Sequence, residues 1–425
     1  MVNKELRIGF VMTRLSGTDG VSLETKKWDK IFQEAGHKTF YIGGELDTPA
    51  DQSMLVEEFH FQHPDIKEIH DRCFQNGSDR SPEVNQMIID YQEKLKKNLY
   101  EFINQFELDL LVAENVLTIP MNIPLGLGLT QLIAEQNKLP VIAHHHDFYW
   151  ERNRFISNCI WDYLNAAFPP TFHQVNHVVI NSSAGHQLAH RKGLSSTLIP
   201  NVLDFSSEPP SIDSLDEYAS DVRKNFEIDE DELFVLQPTR IVPRKNIEEA
   251  IELLSYLERP VKMLISHASG DEGYEYENHL ERYADHMGVD TLFVSDQIGH
   301  KRGETEDGQK IYSLDDIYPH ADLVTYPSDY EGFGNAFIET IYYKKPIVVN
   351  NYSVFSMDIK PKGFEVIDFD GYIKQETVAK TREVIDNPEY RKEMVEKNFR
   401  LGRQYYSFDG LRRKLLTLLD DIFGV

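Results

Sequence analysis

The sequence predicts an α/β protein of two tandem, doubly wound parallel-sheet domains that face one another across a cleft. Short apolar runs rich in β-branched residues alternate with longer amphipathic stretches along the chain, which is the pattern of strands joined by crossover helices. At 425 residues the chain exceeds what one hydrophobic core organises. The strand-helix series also restarts near residue 200, after "STLIPNVLDF" and the acidic segment "SSEPPSIDSLDEYASD". The expected domains are residues 1–200 and 201–407, with a final helix at about 408–425 that crosses back onto the first domain.

In the first domain "LRIGFVM" reads as a buried strand, and "VSLETKKWDKIFQEAG" puts Val21, Trp28, Ile31, Phe32 and Ala35 on one helical face that Gly36 closes. "TFYIGG", "LDLLVAEN", "LPVIAHHHD" and "HVVINSS" follow as strands separated by helix-like segments. The second domain opens with the strand "LFVLQPT" and continues through "VKMLIS", "TLFVSD", "LVTYPS" and "PIVVNN", with helices such as "NIEEAIELLSYL" and "NAFIETIYYK" between them. In the last segment Leu411, Leu415, Leu416, Leu419 and Ile422 recur at helical spacing, which is most simply core. In doubly wound sheets ligands sit outside the carboxyl ends of the strands, so the loops after strands are where chemistry is sought.

Composition narrows the function class. A hydrophobic fraction of 41% and a charged fraction of 27% are those of an ordinary soluble protein. No apolar run reaches the length of a membrane span, and the N-terminal apolar stretch reads as a strand, so a cytoplasmic location is expected. The net charge of -26 argues against nucleic acid or an anionic membrane as the main partner. Cys73 and Cys159 lie far apart in the chain and suggest neither a disulfide framework nor a cysteine metal site.

Against that acidic background the loop "QPTRIVPRKN" gathers Arg240, Arg244 and Lys245 between a strand and a helix, where free amides and the helix dipole add positive potential. It reads as an anion site, with a solvated turn as the alternative. After the strand "DLVTYPS" comes "DYEGFGNAFIET", where glycines bring the backbone close to a ligand and Glu331 and Glu339 supply carboxylates. A carboxylate there repels phosphate, so its natural partners are the hydroxyls of a sugar or a ribose. No Asp-x-Asp pair sits on a plausible loop, and "HHHD" could place at most His144 and His146 on a shared ligand. No metal is expected.

The chain resembles the retaining glycosyltransferases of family 4, which have the two-domain GT-B fold with Rossmann-like halves. "EGFGNAFIE", "TRIVPRK", "IPNVLDF", "GTDGVSLETKKWDKIFQEAGH" and "HHHDFYW" carry the likeness over most of the chain. It implies transfer of a hexose from a nucleoside-diphosphate sugar, UDP- or GDP-linked, to a hydroxyl of a small polar or saccharide acceptor, with no further cofactor. It implies that Arg240 and Lys245 bind the diphosphate and stabilise the departing nucleotide. Glu331, with Gly332 and backbone groups of Phe333, Gly334 and Asn335, would hold the donor sugar, and Glu339 the ribose. Gly20 would approach the phosphates, and His146 would lie at the sugar's reacting face.

This chain departs from the family pattern in "ISHASGDEG", in an apparent insertion "GHKRGETEDGQK" read as a loop at the cleft edge, and at Lys345, read as part of a surface turn. "FYWERNRF" offers Tyr149, Trp150, Arg152 and Arg154 for a sugar acceptor with an anionic group, against simple packing, and "AENVLTIPMNIPLG" adds Glu114, Asn115 and Asn122 as acceptor-side candidates for which a structural role is the favoured reading. A soluble acceptor is preferred over a membrane lipid because no basic, apolar cluster stands out in the first domain. The rival readings are a phosphorylase, which would release sugar to phosphate, an epimerase, which needs no acceptor, and a non-catalytic nucleotide-sugar-binding subunit.

Overall fold

The computed structural model describes residues 4–17, 19–74, 80–269 and 273–424. The chain divides into two compact units, Met1–Asn201 with Phe408–Val425, and Val202–Ser407.

Unit 1 is built on a seven-stranded parallel sheet: β1 (Arg7–Val11), β2 (Lys38–Gly43), β3 (Ser53–Leu55), β4 (Leu110–Glu114), β5 (Val141–His145), β6 (Val175–Val179) and β7 (Thr197–Leu198). Their spatial order is β3-β2-β1-β4-β5-β6-β7, so the winding reverses between β1 and β4. Every residue of β4 and β5 is buried, because a sheet covered on both faces needs near-continuous apolar strands. Val11, Ile42, Leu111, Ala113, Val141 and Ala143 form one core with Leu95, Leu99 and Phe102 of the helix Pro82–Phe106.

The helix Gly20–Glu34 buries Trp28, Ile31 and Phe32, but its inner face continues through Ser22, Glu24 and Thr25 rather than through Val21 and Ala35. The polar residues are tolerated because each finds a partner. Thr25 donates to the Val21 carbonyl at 2.8 Å, Ser22 donates to Asp19 at 2.7 Å, and Lys27 pairs with Glu24. The helix Phe408–Phe423 buries Leu411, Leu415, Leu418 and Leu419 and joins unit 1 through an Arg412–Glu34 ion pair and Lys30 above the Phe408 ring. Cys73 and Cys159 are neighbours in space, with the Cys159 amide donating to the Cys73 carbonyl at 3.2 Å. Burial, with Cys159 alongside, pushes the Cys73 thiol up to about 12.

Unit 2 repeats the plan with six parallel strands: β8 (Leu233–Gln237), β9 (Val261–Ile265), β10 (Asp290–Phe293), β13 (Leu323–Tyr326), β14 (Ile347–Asn350) and β15 (Ile367–Phe369). Their order is β10-β9-β8-β13-β14-β15, with the reversal between β8 and β13. Residues of the apparent insertion form an antiparallel hairpin, β11 (Gly303–Glu304) and β12 (Lys310–Ile311), not an irregular loop. Arg302 pins it by donating to Asp316 at 2.6 Å and Asp216 at 3.0 Å. Lys345 is likewise more than a surface turn. It donates to the Pro319 carbonyl at 2.7 Å, and burial pushes its ammonium down to about 8. Among the described residues, no helix is long and apolar enough to cross a membrane.

Candidate active site

Both switch points carry buried carboxylates. In unit 2, β8 runs into the turn Pro243–Lys245 and the helix Ile247–Ser255, and β13 runs into Ser328–Gly334 and the helix Asn335–Tyr342. Because β8 and β13 are paired neighbours, these loops meet. Lys245 donates to Glu331 Oε1, and Arg244 donates to Glu331 Oε2 at 3.2 Å and to the Tyr330 carbonyl at 3.0 Å. Lys245 and Glu331 are each 7% exposed. Burial alone would push the Glu331 carboxyl up, but Lys245 and Arg244 outweigh it and hold it below the usual carboxylate range. Burial draws Lys245 down against the pull of Glu331.

Arg244 was visible in the sequence as a neighbour of the anion loop, yet its contact with Glu331 follows only from the pairing of β8 and β13. Arg240 is exposed, and its guanidinium has no carboxylate partner among the described residues. His267, beside the cavity described next, is held at about 4 by burial and by the positive groups around it.

The glycine turn has a strict geometry. Gly334 has φ of 128°, and a Cβ there would lie 2.4 Å from the Tyr352 hydroxyl, which itself donates to the Phe333 carbonyl at 2.9 Å. Only glycine fits. The bond from Tyr352 fixes the Phe333 carbonyl just before the helix that begins at Asn335. On that helix, half-buried Glu339 accepts from Tyr318 at 3.4 Å and lines a cavity of about 460 Å3 with His267, Gly299, Tyr342 and Tyr343. Part of "ISHASGDEG", residues 270–272, lies outside the described residues.

In unit 1, β4 pairs with β5 so that Glu114 and His144 are Cα partners. Glu114 Oε2 accepts from His144 Nδ1 at 2.9 Å and from His146 Nε2 at 3.2 Å. His145 points the other way, as strand alternation requires, and bonds Thr118 at 2.6 Å and His177 at 2.9 Å. The Trp28 ring stacks on His144 at 4.1 Å. Burial alone would push Glu114 up, but the imidazoles hold it at about 2, while burial lowers His144 itself. The cluster is a buried carboxylate that accepts from two imidazoles.

Glu114, His144 and His146 form the one group among the described residues whose ligand atoms converge as for a metal. His144 Nε2 has no partner there. A proton on Nδ1 leaves Nε2 as a bare lone pair, whereas a metal on Nδ1 would strand an N–H on Nε2 without the acceptor that metal-bound imidazoles normally have. The arrangement suits hydrogen bonding.

Other sequence candidates separate clearly. Tyr149 is 6% exposed and packs with Phe155 and Phe168. Trp150 stacks on Phe148 at 4.4 Å, with Arg191 5.3 Å from its ring. Neither ring is an open stacking platform. Arg152 is paired with Asp147. Asn115 accepts the His146 amide at 3.3 Å and donates to Asp147 at 3.2 Å, which fixes the loop and occupies its side chain. Gly20 is exposed at the start of its helix, but Asp19 already caps the Val21 and Ser22 amides at 3.1 and 3.2 Å. Arg154 lines a cavity of about 170 Å3 at the β1/β4 switch point, together with Arg14, Phe61 and Glu114.

Residues 219–400 match the family described as "Glycosyl transferases group 1". Mannosylglucosylglycerate synthase of Thermotoga maritima is 31% identical over 441 aligned residues, spanning 96% of this chain and 98% of that protein. The chain is a family 4 glycosyltransferase. The enzyme of the same name from Petrotoga mobilis is 33% identical over 392 residues, 85% of this chain and 86% of its own. The glycosyltransferase also superposes on Anabaena HepE, solved with UDP and glucose, with a TM-score of 0.67 at 14% identity over 98% of this chain and all of that one. Two Rossmann-like parallel-sheet domains of the GT-B type account for the sheet orders of both units.

Proposed function

We propose that this glycosyltransferase moves a mannosyl unit from a UDP- or GDP-linked mannose to glucosylglycerate, with retention at the anomeric carbon and without a metal. The product class comes from the names of the Thermotoga and Petrotoga relatives. The observation that carries the chemistry is the Lys245–Glu331–Arg244 cluster at the β8/β13 switch point. A leaving nucleoside diphosphate gains negative charge as the glycosidic bond breaks, and preorganised cations lower that barrier. Arg240 and Lys245 meet the diphosphate, which displaces part of the Glu331 hold on Lys245.

Glu331, both oxygens of which are drawn toward cations, is a poor nucleophile toward carbon and a good acceptor for sugar hydroxyls. Gly332, Gly334 and Asn335 bring backbone beside it, and Phe333 closes the turn. Glu339 takes the ribose hydroxyls at the wall of the 460 Å3 cavity, which holds the nucleoside. In unit 1, His146 is held by Glu114 and the acceptor side is the cavity that Arg154 lines.

The test is incubation with radiolabelled UDP- and GDP-mannose plus glucosylglycerate, with and without EDTA, followed by NMR of the product. An α-mannosyl product from an α-linked donor, formed equally with EDTA, is expected. An inverted product, or phosphate-dependent sugar release without acceptor transfer, overturns the reading.

A further inference from the structure

Around the 170 Å3 cavity of unit 1 nearly every polar side chain already has a partner. Arg14 pairs with Asp19 at 3.1 Å. Asn122 donates to the Glu58 and Phe59 carbonyls at 2.9 and 3.1 Å and accepts the Leu125 amide at 3.0 Å. Asn115 is spent on its own loop. Two groups remain. Arg154 has no carboxylate partner among the described residues. Its guanidinium touches only weak partners, Met121 Sδ at 3.2 Å and the Phe155 ring at 4.7 Å. Glu114, 2% exposed, keeps Oε1 buried and unpartnered there.

An unmet guanidinium fork calls for a carboxylate, and an unmet carboxylate oxygen calls for a hydroxyl donor. One small fragment supplies both: a hydroxy acid. Resting on the proposed function, we infer that Arg154 grips the carboxylate of the acceptor's glycerate end in this cavity, with Glu114 Oε1 taking a hydroxyl. In a chain of net charge -26, an arginine that forms no ion pair among the described residues is the feature that lets an anionic acceptor enter. It also makes the enzyme selective against the neutral acceptor of the same shape, because burying an unanswered guanidinium against an alcohol forfeits the charge-assisted bonds.

The experiment compares initial rates with glucosylglycerate and with glucosylglycerol, which lacks only the carboxylate, for wild type, Arg154→Gln and Arg154→Lys. Arg154→Gln is expected to lower kcat/KM for glucosylglycerate about 10- to 100-fold, nearly all in KM, while the rate with glucosylglycerol changes by less than about twofold. Arg154→Lys, which keeps charge but loses the fork, falls between. Activity on the neutral acceptor shows that the variants are folded. Equal losses on both acceptors, or a wild type that does not distinguish them, overturn the assignment and leave mannosyl transfer standing. A wild type that glycosylates neither acceptor overturns the proposed function, and this assignment with it.

Discussion

The two switch points solve the same problem with different chemistry. Each places a buried carboxylate beside the strand that follows the reversal, Glu114 at the end of β4 and Glu331 after β13. In unit 2 the partners are Lys245 and Arg244, so a permanent positive charge stands ready for an anion. In unit 1 the partners are two imidazoles, of which burial draws His144 toward its neutral form, so the carboxylate remains an acceptor of hydrogen bonds. A leaving group that gains negative charge suits the first kind of site. An acceptor presenting hydroxyls needs the second.

The largest effect should come from breaking the unit 2 pair. Lys245→Ala is expected to reduce kcat/KM for the nucleotide sugar about 10²- to 10³-fold and to cost about 3 kcal/mol, because Glu331 is left buried with only Arg244. Lys245→Met with Glu331→Gln should recover much of the stability in thermal unfolding while transfer stays lost. Wild-type rates in that double variant would remove the cluster from the chemistry.

Acid should weaken unit 1 through a buried histidine. His177 is held at about 4 against an ordinary 6.5. The unfolded chain therefore takes the proton first, and stability that is full above about pH 6.5 declines as pH falls toward 4, by up to about 3 kcal/mol. Glu114, held at about 2 against 4.5, extends the loss. Its contribution is present above about pH 4.5 and disappears as pH falls toward 2. His177→Gln should reduce the slope of the unfolding temperature against pH between 6.5 and 4.5, and an unchanged slope would count against the assignment. Glu331, held below the usual range, adds nothing in that window, although His267 in unit 2, also held at about 4, adds a term of the same sign.

Smaller effects test geometry. Gly334→Ala should lose about 1–3 kcal/mol through its φ of 128° and the contact with Tyr352, read in chemical denaturation. Arg302→Ala should cost about 1 kcal/mol or less, since its pairs are partly exposed. It should show mainly as faster amide exchange in the hairpin of β11 and β12.

The strands that carry chemistry were legible because their apolar runs are long and end in unusual residues: "LFVLQPTR", "LVTYPS" and "LPVIAHHHD" all became central strands. Short edge strands such as β3 and β7 were not, since two or three residues carry no periodicity. The site was legible where a motif is local, as in the glycine turn. It was not where contacts run between strands. Glu114 looks like an ordinary strand-end acid until the β4/β5 register sets it against His144. The roles offered by "FYWERNRF" could not be divided from sequence, because burial of Tyr149, the Phe148 stack on Trp150 and the Asp147 pair of Arg152 are tertiary facts.

The helix Phe408–Phe423 closes unit 1, yet all of Val202–Ser407 precedes it in the chain. All of unit 2 is therefore synthesised before the helix whose Leu411, Leu415, Leu418 and Leu419 cover an apolar strip of unit 1. Domains fold as they emerge, so the unit begun first is the one finished last. A pause or truncation before Phe408 would leave unit 2 attached to an unclosed unit 1, with the face of the helix Gly20–Glu34 that meets Phe408 and Arg412 uncovered.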